Sequence, residues 1–322
     1  MDEYAVILNP ATAANPPLGA EELIGRARTR VAEILGPAPA GGRATPKRGS
    51  VGPCHVCGQT APLTFEHLPP RSVGNSNPRR AVDLETSLAG PIGEFPVRGW
   101  TSMQPGVGLH ATCAQCNNFS GSAYVPHYLD FTASVVQGLE HWANQAQNAE
   151  QTGAPEKLRM KMQRVHQGAV VRQVLFMLLA ASGTDGLGTR YPVLREIVLR
   201  KSTSALPPEM ALRLTLLSAD RRARVHHVAA EANFDQGQER ALVEVAFTPF
   251  AWLLEIGDPS GREAVDVSSW TGVPPEEERE FELITTVGSI VTAIGGDYRH
   301  RCQIPDGELA EADDDAASSP SS

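Results

Sequence analysis

The spacing of hydrophobic residues predicts four helices along the chain. Apolar residues recur every three or four positions, as on one face of a helix, over residues 21–35, 122–148, 156–182 and 191–201. Pro126 is compatible with the second helix because the first helical turn does not use the N–H that proline lacks. Residues 170–181 of the third helix are apolar on nearly all sides, so we expect this helix to be buried.

Shorter apolar runs between turn-forming residues predict strands. PLTFEHL (62–68) and GVGLHAT (106–112) suit the two strands of a hairpin, with a long loop from about residue 69 to 106. Residues 1–19 are rich in Ala, Asn and Pro and look irregular. In the C-terminal part the pattern favours an antiparallel sheet, with strands at residues 212–217, 225–232, 242–247, 251–256 and 281–286.

The fold class that follows is α+β, with a turn-rich module feeding helices and a mostly antiparallel β region after them. Residues 36–53 are dense in Gly and Pro, which is typical of a linker and places a boundary near residue 50. We expect four segments: an N-terminal helix and linker at 1–50, a cysteine-containing module at 51–150, a helical plus β domain at 151–305, and an acidic disordered tail at 306–322.

Composition and charge restrict the classes of function. Hydrophobic residues make up 41% and charged residues 20% of the chain, and no segment reads as an export signal or a spanning helix, so we expect a cytoplasmic protein without a membrane partner. The net charge is −9, but residues 276–282 carry −4 and residues 306–315 carry −6, so the rest of the chain is close to neutral at +1. Charge therefore does not decide the partner, although no strong basic stripe favours nucleic acid.

The strongest chemical signal is a pair of CxxC motifs. Cys54 and Cys57 form the first, and Cys113 and Cys116 form the second. In a chain without export features, two such pairs favour a metal over disulfides, and four thiolates complete the closed tetrahedral shell of a structural zinc ion. Redox pairs or buried thiols are the alternative interpretation. Cys302 is left over as a lone thiol.

Two further motifs accompany the cysteines. LTFEHLPPR (63–71) follows the first CxxC, and CNNFSG (116–121) overlaps the second. Over residues 54–130 this order resembles the zinc-containing branch of the HNH, or His-Me finger, endonucleases in which Asn replaces the final His. The resemblance implies a treble-clef, or ββα-metal, finger that hydrolyses DNA phosphodiester bonds, with defence against foreign DNA as one expected use.

The residue types fit that chemistry. His67 can accept a proton from water near neutral pH, and Glu66 and Asn117 offer the hard oxygen ligands that Mg²⁺ prefers. The resemblance implies that His67 is the general base and that Glu66 and Asn117 bind a catalytic Mg²⁺ or Mn²⁺. A structural hydrogen-bonding role for His67 stays open as the alternative.

The chain also departs from the family pattern. Gly108 stands where a middle Asn is expected, with His110 two positions later, and Asn117 stands where the last His is expected. Without the middle Asn, the orientation of His67 is in question. His110 is a candidate replacement, although a histidine bonded within its strand is the simpler interpretation.

Other polar residues have less specific interpretations. Arg71, Arg79 and Arg80 lie in or beside the long loop and are candidate contacts to nucleic-acid phosphates, although exposed arginines are commonly just solvated. Asn118 is either a metal ligand or a helix N-cap, with the cap favoured. His226 and His227 have no partner at metal spacing, and Trp142, Trp252 and Trp270 are expected to pack in the core.

Two functions of different classes remain. The first is a metal-dependent DNA endonuclease whose C-terminal domain selects substrate, regulates the site or forms a homo-oligomer. The second is a catalytically inactive, zinc-stabilised scaffold that binds protein or nucleic acid. A zinc hydrolase is poorly supported, because four cysteine ligands leave no open coordination position.

Overall fold

The chain folds into helices packed on antiparallel sheets, which confirms the α+β class. The computed structural model describes residues 6–8, 26, 29, 48–76, 79–81, 101–103, 106–148, 157–183, 186–201, 203–216, 224–225, 229–233, 238–257 and 264–286. Predictions for most of residues 1–47, for His226 and His227, and for Cys302 and the acidic tail lie outside these ranges. Arg26 and Thr29, within the predicted first helix, are helical.

The cysteine module is a three-stranded sheet followed by a helix. Its elements are β2 (Val51–Pro53), β3 (Thr60–His67), β6 (Gly108–Cys113) and α1 (Ala114–Ala123). Strands β3 and β6 form the predicted hairpin, with Leu63 opposite Cys113 and His67 opposite Gly108. Strand β2 pairs with the start of β3, so the last three residues of the predicted linker belong to the module.

The helix predicted over 122–148 is confirmed as α2 (Val125–Asn148), which begins three residues later. A separate helix, α1 (Ala114–Ala123), precedes it, with a break at Tyr124. The Tyr124 ring is buried, and its hydroxyl donates a 2.5 Å hydrogen bond to the Val198 carbonyl. This anchored side chain lies at the break between the two helices. Pro126 lies in the first turn of α2, as expected.

The helix predicted over 156–182 is wrong in its first half. Residues Lys157–Val165 form strand β7, which pairs antiparallel with β14 (Arg279–Thr286), and helix α3 begins only at Gln167. In β7, Leu158 and Met160 are buried whereas Arg159 and Lys161 point to solvent, which is the two-residue repeat of a strand.

Strands β7 and β14 are joined by ion pairs on their exposed face. Three ion pairs connect basic residues of β7 to the acidic run at residues 276–282. They are Arg159–Glu282, Lys161–Glu280 and Arg164–Glu278. The acidic run is therefore neutralised locally by a basic strand. Together, the basic strand and the acidic run therefore contribute little net field that would attract or repel a nucleic acid at a distance.

Helix α3 (Gln167–Ala181) is the centre of the hydrophobic core. All of its residues are buried, as its apolar sequence predicts. The only cation among them, Arg172, donates its hydrogen bonds to backbone carbonyls, including those of Ile197 and Val273. Two shorter helices follow, α4 (Leu187–Arg190) and α5 (Pro192–Leu199). None of the helices in the described ranges is long and apolar enough to cross a bilayer.

A seven-stranded sheet packs against α3. Its strands are β1 (Val6–Leu8), β8 (Met210–Leu216), β9 (Arg224–Val225), β10 (Ala229–Asn233), β11 (Gln238–Phe247), β12 (Phe250–Gly257) and β13 (Val265–Asp266). They are arranged in the order β1-β10-β11-β12-β8-β13, with β9 also paired to β11. All of its pairings are antiparallel except β1 with β10.

This sheet confirms the strand predicted over 225–232 where the structure describes it, because β9 and β10 both pair antiparallel with β11 in nearly continuous register. It corrects two other expectations. Residues 281–286 belong to the β7–β14 ribbon and not to this sheet. Within the region expected to be irregular, Val6–Leu8 forms a strand, because it is a short apolar run that pairs with β10. The expectation that Trp142, Trp252 and Trp270 pack in the core is confirmed, since all three side chains are buried.

Candidate functional site

The four predicted cysteines come together in one cluster. Cys54 and Cys57 lie in the turn between β2 and β3, Cys113 ends β6, and Cys116 lies in the first turn of α1. Their sulfur atoms all lie within 4.8 Å of one another. The Sγ atoms of Cys57 and Cys113 are 3.9 Å apart, close to the separation of about 3.8 Å implied by a tetrahedral ion with Zn–S bonds of about 2.3 Å. The cluster can hold a metal ion such as zinc.

The protein is arranged to keep a thiolate in this cluster. The pKa of Cys54 is lowered to about 4, chiefly by a hydrogen bond from the Cys116 thiol and also by backbone N–H groups, although burial opposes the shift. One of these backbone groups, the N–H of Cys113, lies 3.3 Å from the Cys54 sulfur. Burial raises the pKa of Cys57, and the hydrogen bond to Cys54 raises that of Cys116, so the metal-free cluster keeps one thiolate and an ion must displace the protons of these two thiols.

The first cysteine turn is fixed to the helical part of the chain. Nδ1 of His55, inside the CHVC motif, lies 2.7 Å from the carbonyl of Ala180 near the end of α3. Gly58 has a φ of +79°, which favours glycine, and a side chain there would approach the Arg195 guanidinium within 3.1 Å. The cluster is therefore held from outside the module as well as from within.

Glu66, His67 and Asn117 line one cleft. The cleft has a volume of about 530 Å³ and lies between the end of β3, the turn after it and one face of α1, and its lining includes Glu66, His67, Arg71, Asn117, Ser120 and Gly121. The Asn117 amide nitrogen donates to Thr64 Oγ1 at 3.1 Å and to the Phe65 carbonyl at 3.3 Å. These bonds fix α1 against β3 and leave the amide oxygen of Asn117 as its remaining ligand atom.

Glu66 is an unusually buried carboxylate. Only 5% of its surface is exposed, and its Oε2 atom accepts no hydrogen bond from the part of the chain that the structure describes. Burial raises its pKa to about 8; the nearby Thr112 hydroxyl lowers the pKa in part, and the charge of Cys54 raises it slightly. A buried carboxyl without a full set of partners is costly for the fold and is typical of a functional site.

Phe65 separates the two histidines of the hairpin. Its ring makes edge contacts with His67, at a centroid distance of 5.0 Å, and with His110, at 5.3 Å. His67 lines the cleft, whereas His110 is not among the cleft residues. The structure therefore brings together three of the predicted residues and leaves His110 against the side of Phe65.

Gly108 has a steric reason to be glycine. It lies opposite His67 in the hairpin, and a side chain there would overlap the Glu66 carbonyl oxygen and come within 2.8 Å of the Phe65 ring. An asparagine cannot fit at this position in this hairpin. The absence of the expected middle Asn is thus tied to the close approach of β3 and β6.

Asn75 is a site residue that the sequence analysis missed. Its side chain is fully buried and donates 2.7 Å hydrogen bonds to the carbonyls of Pro69 and Val107, while its Oδ1 accepts a 2.8 Å bond from the Val107 N–H. These bonds join the turn after His67 to the residue just before β6. In SVGNSNP an asparagine looks like an ordinary turn former, so the sequence carries no signal for this role.

The remaining predicted contacts are placed as follows. Arg71 lines the cleft in a 3₁₀ turn (Arg71–Val73), and it is exposed. Arg79 and Arg80 lie in β4 (Arg79–Ala81), which pairs with β5 (Thr101–Met103), and their side chains lie outside the described part. The capping role favoured for Asn118 is wrong, because α1 begins at Ala114 and Asn118 is exposed within it.

Comparison with known proteins gives no relative for this chain. No protein-family model, curated protein or solved structure matches it significantly.

Proposed function

We propose that this protein is a metal-dependent endonuclease of the HNH type. The observation that carries the proposal is the single cleft lined by Glu66, His67 and Asn117, beside a four-cysteine cluster. Two of these residues end a strand and the third lies on a helix, and Cys113 and Cys116 bracket the start of that helix. In an active site, side chains from distant parts of the sequence converge on one cleft and supply complementary chemical groups.

In this proposal the cysteine cluster binds a structural zinc ion. Four thiolates leave no position for water, so the zinc fixes the geometry of the hairpin and α1 and takes no part in the reaction. The hairpin and helix then form a treble-clef, or ββα-metal, finger. The cleft residues depend on this geometry, because Glu66 and His67 end β3 and Asn117 lies just after Cys116.

The cleft residues divide the catalytic work. Glu66 and the Asn117 amide oxygen would bind Mg²⁺ or Mn²⁺, which supplies charge stabilisation at the scissile phosphate. His67 accepts the proton of the attacking water, and Arg71 contacts a phosphate on the outer side of the cleft. Because the pKa of Glu66 is about 8, a cation must displace its proton at neutral pH, so metal affinity should rise with pH.

The substrate proposed is DNA in the cytoplasm, with the C-terminal part of the chain contributing selection or homo-oligomerisation. Locally paired charges on β7 and β14 remove one source of repulsion from DNA. Binding would then rest on short-range contacts at the cleft. Such contacts position the backbone and give little sequence preference by themselves.

Nicking of supercoiled plasmid tests this proposal. Wild type with Mg²⁺ or Mn²⁺ is compared with His67→Ala and with His141→Ala, which removes an exposed histidine of α2 outside the cleft. We expect His67→Ala to lose cleavage while keeping its zinc, and His141→Ala to keep both. Equal cleavage by His67→Ala and wild type would refute the assignment of the base.

An inactive, zinc-stabilised scaffold that binds protein or nucleic acid is the second candidate. It is favoured by the raised pKa of Glu66, because a protonated carboxyl is a poor metal ligand. In this case the wild type would bind DNA or protein without cleaving DNA under any metal or pH tested. Retention of binding by Glu66→Gln would support the scaffold, since binding would not need the carboxylate.

A further inference from the structure

Glycines in the described α-helices have close neighbours, with one exception. Within these α-helices there are four, and a side chain at three of them would come too close to a neighbour. At Gly138 it would overlap the Met160 sulfur, at Gly168 the Val273 carbonyl, and at Gly188 it would lie 2.6 Å from Arg195 Nε. At Gly121 a side chain would meet nothing within 4 Å.

Gly121 has no such steric reason within the described part of the chain. It lies exposed in the last turn of α1, with no positive φ angle to require glycine, and alanine is generally the more favourable residue in an exposed helix. One explanation is a molecule that occupies the open space beside it.

The open space is the cleft. Gly121 lies four residues after Asn117 on α1, so the two residues share one helix face, and both line the cleft. The adjacent residue Ser122 is equally exposed but is not among the cleft residues. The bare stretch of helix is thus directed at the cleft, one turn beyond the proposed metal ligand.

We propose that Gly121 is a specificity-determining residue that leaves room for the backbone of a polymeric phosphodiester. This inference rests on the proposed nuclease function and names the substrate as a nucleic-acid strand extending along α1 beyond the scissile bond. In this proposal a small diester is held at the reactive centre without a contact at Gly121. A side chain at this position therefore discriminates between the two kinds of substrate.

The test compares two substrates on matched variants. Gly121→Leu places a large side chain in the cleft, Gly121→Ala a small one, and Ser122→Leu places the same large side chain just outside. Each is assayed for plasmid nicking and for hydrolysis of bis(4-nitrophenyl) phosphate, with circular dichroism and zinc content as measures of folding. Gly121→Ala should also have a higher melting temperature than wild type.

We expect Gly121→Leu to lose plasmid nicking by about 100-fold, because displacement of the strand misplaces the scissile phosphate, while it keeps hydrolysis of the small diester. Ser122→Leu should keep both activities. Plasmid nicking by Gly121→Leu at the wild-type rate would overturn the inference and leave the nuclease intact. If wild type cleaves neither substrate, the nuclease proposal fails, and unchanged DNA binding by Gly121→Leu would then overturn this inference as well.

Discussion

Replacing Glu66 with glutamine should make the protein more stable in the absence of the proposed catalytic metal, and inactive at the same time. Glutamine has nearly the same shape but cannot ionise. Glu66 is 5% exposed and has a pKa of about 8, against 4.5 for an ordinary glutamate. Its folded form therefore holds a proton that the unfolded chain releases, and this difference destabilises the fold as pH rises.

The magnitude follows from the two pKa values. Between pH 4.5 and 8 the folded state binds one proton more than the unfolded state, so stability falls by about 1.4 kcal/mol per pH unit. At pH 7 the loss amounts to about 3 kcal/mol, and it disappears below pH 4.5. Glu66→Gln removes the loss, and the cost of burying its amide reduces the gain by about 1 kcal/mol.

Urea denaturation of zinc-loaded protein at pH 5, 7 and 8.5, without added Mg²⁺, measures this effect. Glu140→Gln is the matched control, because Glu140 is exposed on α2. We expect the free energy of unfolding of Glu66→Gln to exceed that of wild type by an amount that grows with pH. For the control variant this difference should stay near zero. Added Mg²⁺ should stabilise wild type and leave Glu66→Gln unchanged. An advantage that is equal at pH 5 and 8.5 would refute the reasoning.

Three further predictions concern Asn75, His127 and the cysteine cluster. Asn75→Ala removes three hydrogen bonds of a buried side chain and should destabilise the protein by about 2 to 4 kcal/mol in urea denaturation, with full zinc content. Burial and the nearby His166 lower the pKa of His127, so on acidification the unfolded chain takes up the proton before the folded one. His127→Gln should therefore make the melting temperature less sensitive to acid below about pH 6.5. Equal slopes of melting temperature against pH for variant and wild type would contradict this. Cys116→Ser should weaken zinc binding, measured by chelator competition, and lower the melting temperature; a zinc affinity equal to that of wild type would show that the cluster is not its site.

Much of the candidate site could be predicted from the sequence because its chemistry is carried by rare residue types at fixed spacing. Two CxxC pairs imply a cluster whatever lies between them, and the cluster in turn brings the ends of β3 and α1 together. Asn75 could not be predicted in this way. Its role depends on three backbone partners that only the folded loop brings within 2.8 Å.

The largest error in the predicted fold has a simple physical origin. In KLRMKMQRV the apolar residues alternate with charged ones. A segment of only 9 residues can fit the helical repeat as well as the strand repeat. The partner decides between them. Strand β14 offers an apolar face, and its carboxylates, together with that of Glu278 just before it, pair with the basic side chains of β7. The sequence of one strand alone does not show which strand it will pair with.

The walls of the cleft depend on residues far from the motifs that identify it. Ser120, which lines the cleft, donates a 2.6 Å hydrogen bond to Gln173 in the centre of α3, and Tyr124 is anchored to Val198 on α5. His55 joins the cysteine turn to the end of α3. Each of these contacts crosses from the module into the C-terminal helices, so the positions of α1 and of the cysteine turn depend on those helices. We therefore expect changes in the C-terminal helices to alter the shape of the cleft and, through it, the proposed chemistry.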